Sequence, residues 1–118
     1  TFTLLVGASS IDGAMFRVVN GSNYFRVDAN PGLDKLFLLV NVAGTESDVV
    51  PGGAAVAAFA TGSTHTLRVR AVGTSLKVYW NGSLTIDTTN SNHLTATKHG
   101  FIGFNTATRF DDFSLAAA

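Results

Sequence analysis

The stretch GTESDVV holds Glu46, the single glutamate of the chain, with Asp48 two residues on. On a strand that spacing puts both carboxylates on one face, as in the acid and nucleophile pair of a sugar-cleaving enzyme. The flanks are turn-like and no aromatic residue stands beside them in sequence, so the pair reads as a solvated edge or loop. Asp111 and Asp112 are the other acidic pair. Neighbours on a strand point apart, so they do not act together on one bond. The plain reading is one Asp accepting hydrogen bonds from a turn. The sharper one is a calcium ligand, which would need further oxygens from separate loops.

The remaining catalytic chemistries find little footing. His65, His93 and His99 show no H-x-H or H-x-x-x-H spacing, so no zinc site is expected. There is no nucleophile elbow for Ser-His-Asp chemistry, and the glycines are spaced as turns rather than as a phosphate loop. Without cysteine, a thiol nucleophile and a disulfide scaffold are excluded.

Binding chemistry is better supplied. Oligosaccharide sites on β-sandwiches combine an aromatic ring with Arg, Asp or amide groups that hydrogen-bond hydroxyls. The candidates that alternation turns outward are Tyr24, Arg26, Arg68, Arg70 and Tyr79, with Arg17 and Lys77 beside them. The same cations facing Asp28 and Asp87 read equally well as cross-strand ion pairs, each worth roughly a few tenths of a kcal/mol. Asn20, Asn23, Asn90, Asn92 and Asn105 are available for a loop rim, and are also what turns demand. Asn20-Gly-Ser and Asn81-Gly-Ser match the glycosylation pattern but sit on expected tight turns.

These residues are carried by strands. Period-two alternation dominates and no stretch sustains a helical period. Phe16 and Val18 share one face of AMFRVVN, with Arg17 on the other. In YFRVDA, Phe25 and Val27 point inward while Tyr24, Arg26 and Asp28 point outward. KLFLLVNV is apolar enough to be covered on both sides. HTLRVRAVG opposes Leu67, Val69 and Ala71 to Arg68 and Arg70. In SLKVYWNGSLTID, Asn81-Gly82 marks a two-residue hairpin. Leu76, Val78 and Trp80 form its core face, continued by Leu84 and Ile86, so Trp80 enters the core and Tyr79 faces out. The tract GGAAVAAFA is a loop leading to an edge strand. About ten short strands describe one antiparallel β-sandwich or jelly roll over residues 1–118.

Composition narrows the partners. Charged residues are only 14% of the chain, and eight basic and eight acidic side chains cancel. No field is available to attract nucleic acid, and no apolar run approaches the ~20 residues of a membrane span. Poverty in Lys and Glu with abundant Thr, Asn and Gly points to an extracellular or virion protein. The chain opens in the apolar run TFTLLV and reads as a mature or excised piece of a longer one.

Three stretches, GAMFRVVNGSNYFRVDA, HTLRVRAVGTSLKVYWNGSLTI and GFIGFNTATRFDDFSL, together resemble the concanavalin A-like lectin/glucanase superfamily. The likeness is closest to the laminin-G-like jelly rolls of bacterial secreted proteins and of phage tail and surface proteins. The resemblance implies a non-catalytic carbohydrate-binding or adhesion module recognising a glycan or cell-surface polysaccharide. The alternative it carries is a structural tail, fibre or capsid-decoration domain contacting other domains or copies. It implies no cofactor beyond a possible structural calcium at Asp111 or Asp112. It also implies a further ~30 residues ahead of the first strand, pairing with the closing strand and covering an edge that would otherwise invite association.

Overall fold

The computed structural model describes residues 2–5, 12–103, 109–111 and 114–115. Within them the chain forms eleven strands: β1 (Phe2–Leu5), β2 (Asp12–Asn20), β3 (Asn23–Asn30), β4 (Lys35–Val42), β5 (Thr45–Asp48), β6 (Ala54–Ala55), β7 (Thr64–Val72), β8 (Ser75–Trp80), β9 (Ser83–Thr89), β10 (Lys98–Gly103) and β11 (Arg109–Asp111). They build two antiparallel sheets. One runs β11-β1-β7-β8-β9, and the other runs β10-β2-β3-β4-β5 with β6 also paired to β4. β1 pairs with the closing strand β11 on one side and with β7 on the other.

The alternation seen in sequence decides what lies between the sheets. Phe25, Val27, Leu36 and Leu38 from the six-stranded sheet meet Leu67, Leu76, Val78 and Ile86 from the five-stranded one, all at most 2% exposed. Trp80 joins this core, as its position beside Leu76 and Val78 requires. At one side, Phe101 of β10 stacks on Phe110 of β11 with ring centroids 4.5 Å apart, bridging the two sheets. Burying this apolar surface is the main favourable term of folding.

The Asn81-Gly82 hairpin forms with positive φ at both residues, 50° and 85°, the backbone that a two-residue turn of this kind needs. Beyond it the register shifts: Tyr79 faces Leu84, but Val78 faces Ile86. Thr85 is therefore an extra, bulged residue, and the bulge corrects one expectation. Leu84 belongs to the outer face with Tyr79, 48% exposed, while Ile86 returns to the core. Arg17 is corrected for a similar reason. The β2–β3 register slips after Phe16, and Arg17 has φ of 47°. Instead of facing out it is buried, and its Nη2 donates to the Gly73 carbonyl at 2.7 Å, tying the six-stranded sheet to the β7–β8 turn.

Candidate functional site

The outward-facing candidates fall on opposite sides of the molecule. Tyr24 and Arg26 lie on the outer face of the six-stranded sheet, whereas Arg68, Arg70 and Tyr79 lie on the outer face of the five-stranded one. They do not form one site.

On the six-stranded sheet the pairing register gathers a polar cluster. Tyr24 faces Asn41 across β3–β4, and Asn41 faces Glu46 across β4–β5. Arg26 faces Leu39, and Asp28 faces Phe37. Since cross-strand partners share a face, Tyr24, Arg26, Asp28, Asn41 and Glu46 all stand on the side away from the core. The turn that sets this register is Ala43-Gly44, again with positive φ at both residues.

The cluster is tightly connected. Arg26 Nη2 lies 3.1 Å from Glu46 Oε2, and Arg26 Nε lies 3.2 Å from Asp28 Oδ2. The Tyr24 hydroxyl donates to Glu46 Oε1 at 3.2 Å and accepts from Asn41 Nδ2 at 3.3 Å. Tyr24 is thus turned outward as alternation requires, yet it is only 9% exposed and offers no open ring for stacking. Nor is Glu46 the isolated solvated group expected from its flanks. It sits on edge strand β5, bonded to an aromatic hydroxyl and a guanidinium, while Asp48 beyond it is exposed.

Three buried polar atoms of the cluster lack a hydrogen-bond partner in the protein: Asp28 Oδ1, Asn41 Oδ1 and Arg26 Nε, the last close to Asp28 but poorly aligned with it. Burial is the chief cause that pushes the Asp28 carboxyl up to about 6. The Arg26 charge opposes this, and the neighbouring Glu46 and Asp12 carboxylates add to it. A buried carboxylate with a free oxygen is costly, and such groups call for an explanation other than stability. Half-buried Phe37, Leu39 and Met15 flank the cluster on the same face.

The five-stranded sheet presents a different surface. Arg68 faces Tyr79 and Arg70 faces Lys77 across β7–β8. The Arg68 guanidinium lies over the Tyr79 ring, 5.1 Å from its centroid, so this ring too is capped. Lys77 Nζ reaches Asp87 Oδ2 at 3.5 Å, the cross-strand ion pair that the spacing allowed.

A third group sits at the end of the core. His65 stacks on Trp80 with centroids 4.5 Å apart, and Phe59 packs against both rings. Its Nε2 is 2.7 Å from Ser63 Oγ and its Nδ1 is 2.9 Å from Asn81 Nδ2. This Ser-His-Asn set does not activate the serine. Asn81 Oδ1 accepts from Thr66 N, so the amide must present its NH2 to Nδ1. His65 is then protonated at Nε2 and donates to Ser63 Oγ, whose hydroxyl in turn donates a hydrogen bond to the Ala60 carbonyl. Burial depresses the His65 pKa. An amide oxygen turned toward the ring would favour the imidazolium, but that oxygen is committed to Thr66.

The calcium expectation rests on Asp111 and Asp112. Asp111 is exposed on β11, and Asp112 lies outside the described residues. Among the described residues no three His, Asp or Glu side chains gather where they could hold a metal ion. Also among the described residues, no helix is long and apolar enough to cross a membrane.

No family model and no curated protein matches the chain. Among solved structures it is similar to the carbohydrate binding module CBM66 from Bacillus subtilis, with a TM-score of 0.70 and 19% identity over 94% of this chain and 71% of that one. At that identity the likeness establishes architecture: the chain folds as an all-β, two-sheet antiparallel sandwich of the kind seen in that module.

Proposed function

We propose that the domain is a non-catalytic carbohydrate-binding module that recognises sugar hydroxyls on the outer face of its six-stranded sheet. The observation that carries this reading is the Arg26–Asp28–Glu46–Tyr24–Asn41 cluster, which keeps buried oxygens unpartnered on a surface where the core has no use for them. Sugar hydroxyls can donate to the Glu46 carboxylate and accept from the Arg26 guanidinium, the charged groups of the cluster that reach the surface, while the buried Asp28 and Asn41 hold Arg26 and Tyr24 from beneath. Phe37, Leu39 and Met15 offer apolar contact for ring C–H groups. The similar architecture of a solved carbohydrate binding module supports the same reading.

The cluster binds rather than cleaves. Arg26 engages both carboxylates, and Glu46 also accepts from Tyr24. An acid–nucleophile pair needs two carboxyl groups free to address opposite sides of one glycosidic bond. The concanavalin A-like ancestry and the extracellular or virion setting implied by the sequence belong to this proposal, as does adhesion to a cell-surface polysaccharide. A glycan array spanning neutral and acidic sugars tests it, with the wild type and Tyr24→Phe side by side. Binding of a neutral glycan that Tyr24→Phe weakens about tenfold, the loss of one hydrogen bond to a charged group, is the expected result. Binding untouched by Tyr24→Phe and by Asp28→Asn would remove the cluster from the site.

A further inference from the structure

The opposite face of the sandwich carries a second constellation with a different chemistry. Arg68 and Arg70 alternate on β7, about 7 Å apart along the strand, and both are exposed. This face carries two acids: Asp87 pairs with Lys77, and Asp111 stands two strands away on β11, so neither is set against Arg68 or Arg70 across the β7–β8 ladder. Tyr79 lies directly across from Arg68 and beneath its guanidinium, which fixes that side chain flat on the sheet. Lys77 lies across from Arg70. Arg68, held over Tyr79, and Arg70 thus share one sheet face, with the Lys77–Asp87 pair beside them.

From this arrangement we infer that the outer face of β7–β8 is a separate anion-recognising surface, and that its partner is a polysaccharide bearing carboxylates along its chain. Arg68 and Arg70 are spaced along a strand rather than gathered at one point, which suits an extended polymer rather than a small ligand. Carboxylates repeating along a chain match guanidiniums repeating along a strand, and Arg binds them bidentately. Tyr79 is a positioning residue here: its ring is covered by Arg68 and serves to hold the cation, not to stack a sugar. This surface is distinct from the Arg26 cluster, where carboxylates outnumber the single guanidinium and an acidic chain would be repelled.

The test uses polygalacturonate and its methyl ester, which share a backbone and differ in charge, with binding followed by calorimetry at 20 and 200 mM NaCl. The wild type is expected to bind polygalacturonate and not the ester. Its affinity should fall roughly 25- to 60-fold between the two salt concentrations, as for about two charge contacts. Arg68→Gln with Arg70→Gln should abolish binding without changing Tm, because both side chains are exposed. Tyr79→Leu should weaken it several-fold and Tyr79→Phe should restore it, whereas Lys98→Gln, which removes an exposed charge elsewhere, should have no effect. Equal binding of the ester, retention in the double variant, or equal loss in Lys98→Gln would overturn the inference. So would tighter binding of poly-glutamate than of polygalacturonate, which would make the partner an acidic protein. Binding of a neutral glycan at the Arg26 cluster is scored independently, so either site can fail without the other.

Discussion

Replacing Asp28 by Asn should make the domain more stable while impairing binding. Asp28 is 4% exposed, and its carboxyl is raised from 3.8 to about 6 because burial outweighs the attraction of Arg26. The folded state therefore binds more protons than the unfolded state between those two values. By linkage, the stabilising effect of the protonated group is fully present below about pH 3.8 and is lost as pH rises through about 6. At pH 7 the ionised carboxylate costs about 3 kcal/mol relative to a neutral group of the same shape. Some of that is returned when Arg26 loses an ion-pair partner, so a net gain of about 1–3 kcal/mol is expected for Asp28→Asn, or roughly 4–12 °C in Tm for a domain of this size. The assay is thermal unfolding followed by circular dichroism at pH 4 and pH 7. The variant should exceed the wild type at pH 7 and approach it at pH 4. A variant that is less stable at pH 7, or equally shifted at both, would refute the claim that this carboxylate is held against its own preference. Stability gained with binding lost is the usual signature of a group kept for function.

Further outcomes follow from the same geometry. Burial depresses the His65 pKa, so the folded state favours the neutral ring, and stability should fall as pH drops below about 6.5. Since His65 stacks on Trp80, the indole fluorescence should report that titration, with a midpoint below 6.5; a midpoint at or above it would contradict the neutral Nε2–H assignment. Arg26→Met leaves two carboxylates facing each other without a cation and should cost about 2–4 kcal/mol at pH 7, less at pH 4, measured by urea unfolding. Gly13→Ala should prevent or severely weaken folding, because a Cβ there would lie 1.7 Å from the Val27 carbonyl oxygen, between β2 and β3. Gly82→Ala meets no neighbouring atom but must adopt φ of 85°, so a loss of about 1 kcal/mol is expected from backbone strain alone.

The two-sheet sandwich was legible in sequence because alternation and turn residues are local signals. Leu76, Val78 and Trp80 reach the core as their spacing requires, and Asn81-Gly82 makes the turn its residue types favour. The misplaced side chains, Arg17, Val18 and Leu84, sit beside irregularities of strand register. A bulge shifts every later residue to the other face and has no compositional mark here, since Thr85 is an ordinary strand residue. The candidate site was legible only in part. Tyr24, Arg26 and Asp28 form an outward row by alternation, but their partners Asn41 and Glu46 are contributed by β4 and β5. One signal could have joined them. Reading Ala43-Gly44 as a two-residue turn pairs Val42 with Thr45, and hence Asn41 with Glu46 on the row that Tyr24 occupies. Which face Arg68, Arg70 and Tyr79 share was beyond sequence, because it depends on strand order rather than on any spacing along the chain.

The most direct measurement is a backbone amide NMR titration of the domain with neutral oligosaccharides drawn from the array. The account predicts chemical-shift changes concentrated at Tyr24–Asp28 of β3, Phe37–Asn41 of β4 and Thr45–Asp48 of β5, lost in Asp28→Asn. Changes confined to β7 and β8, or none across a broad neutral panel, would contradict it.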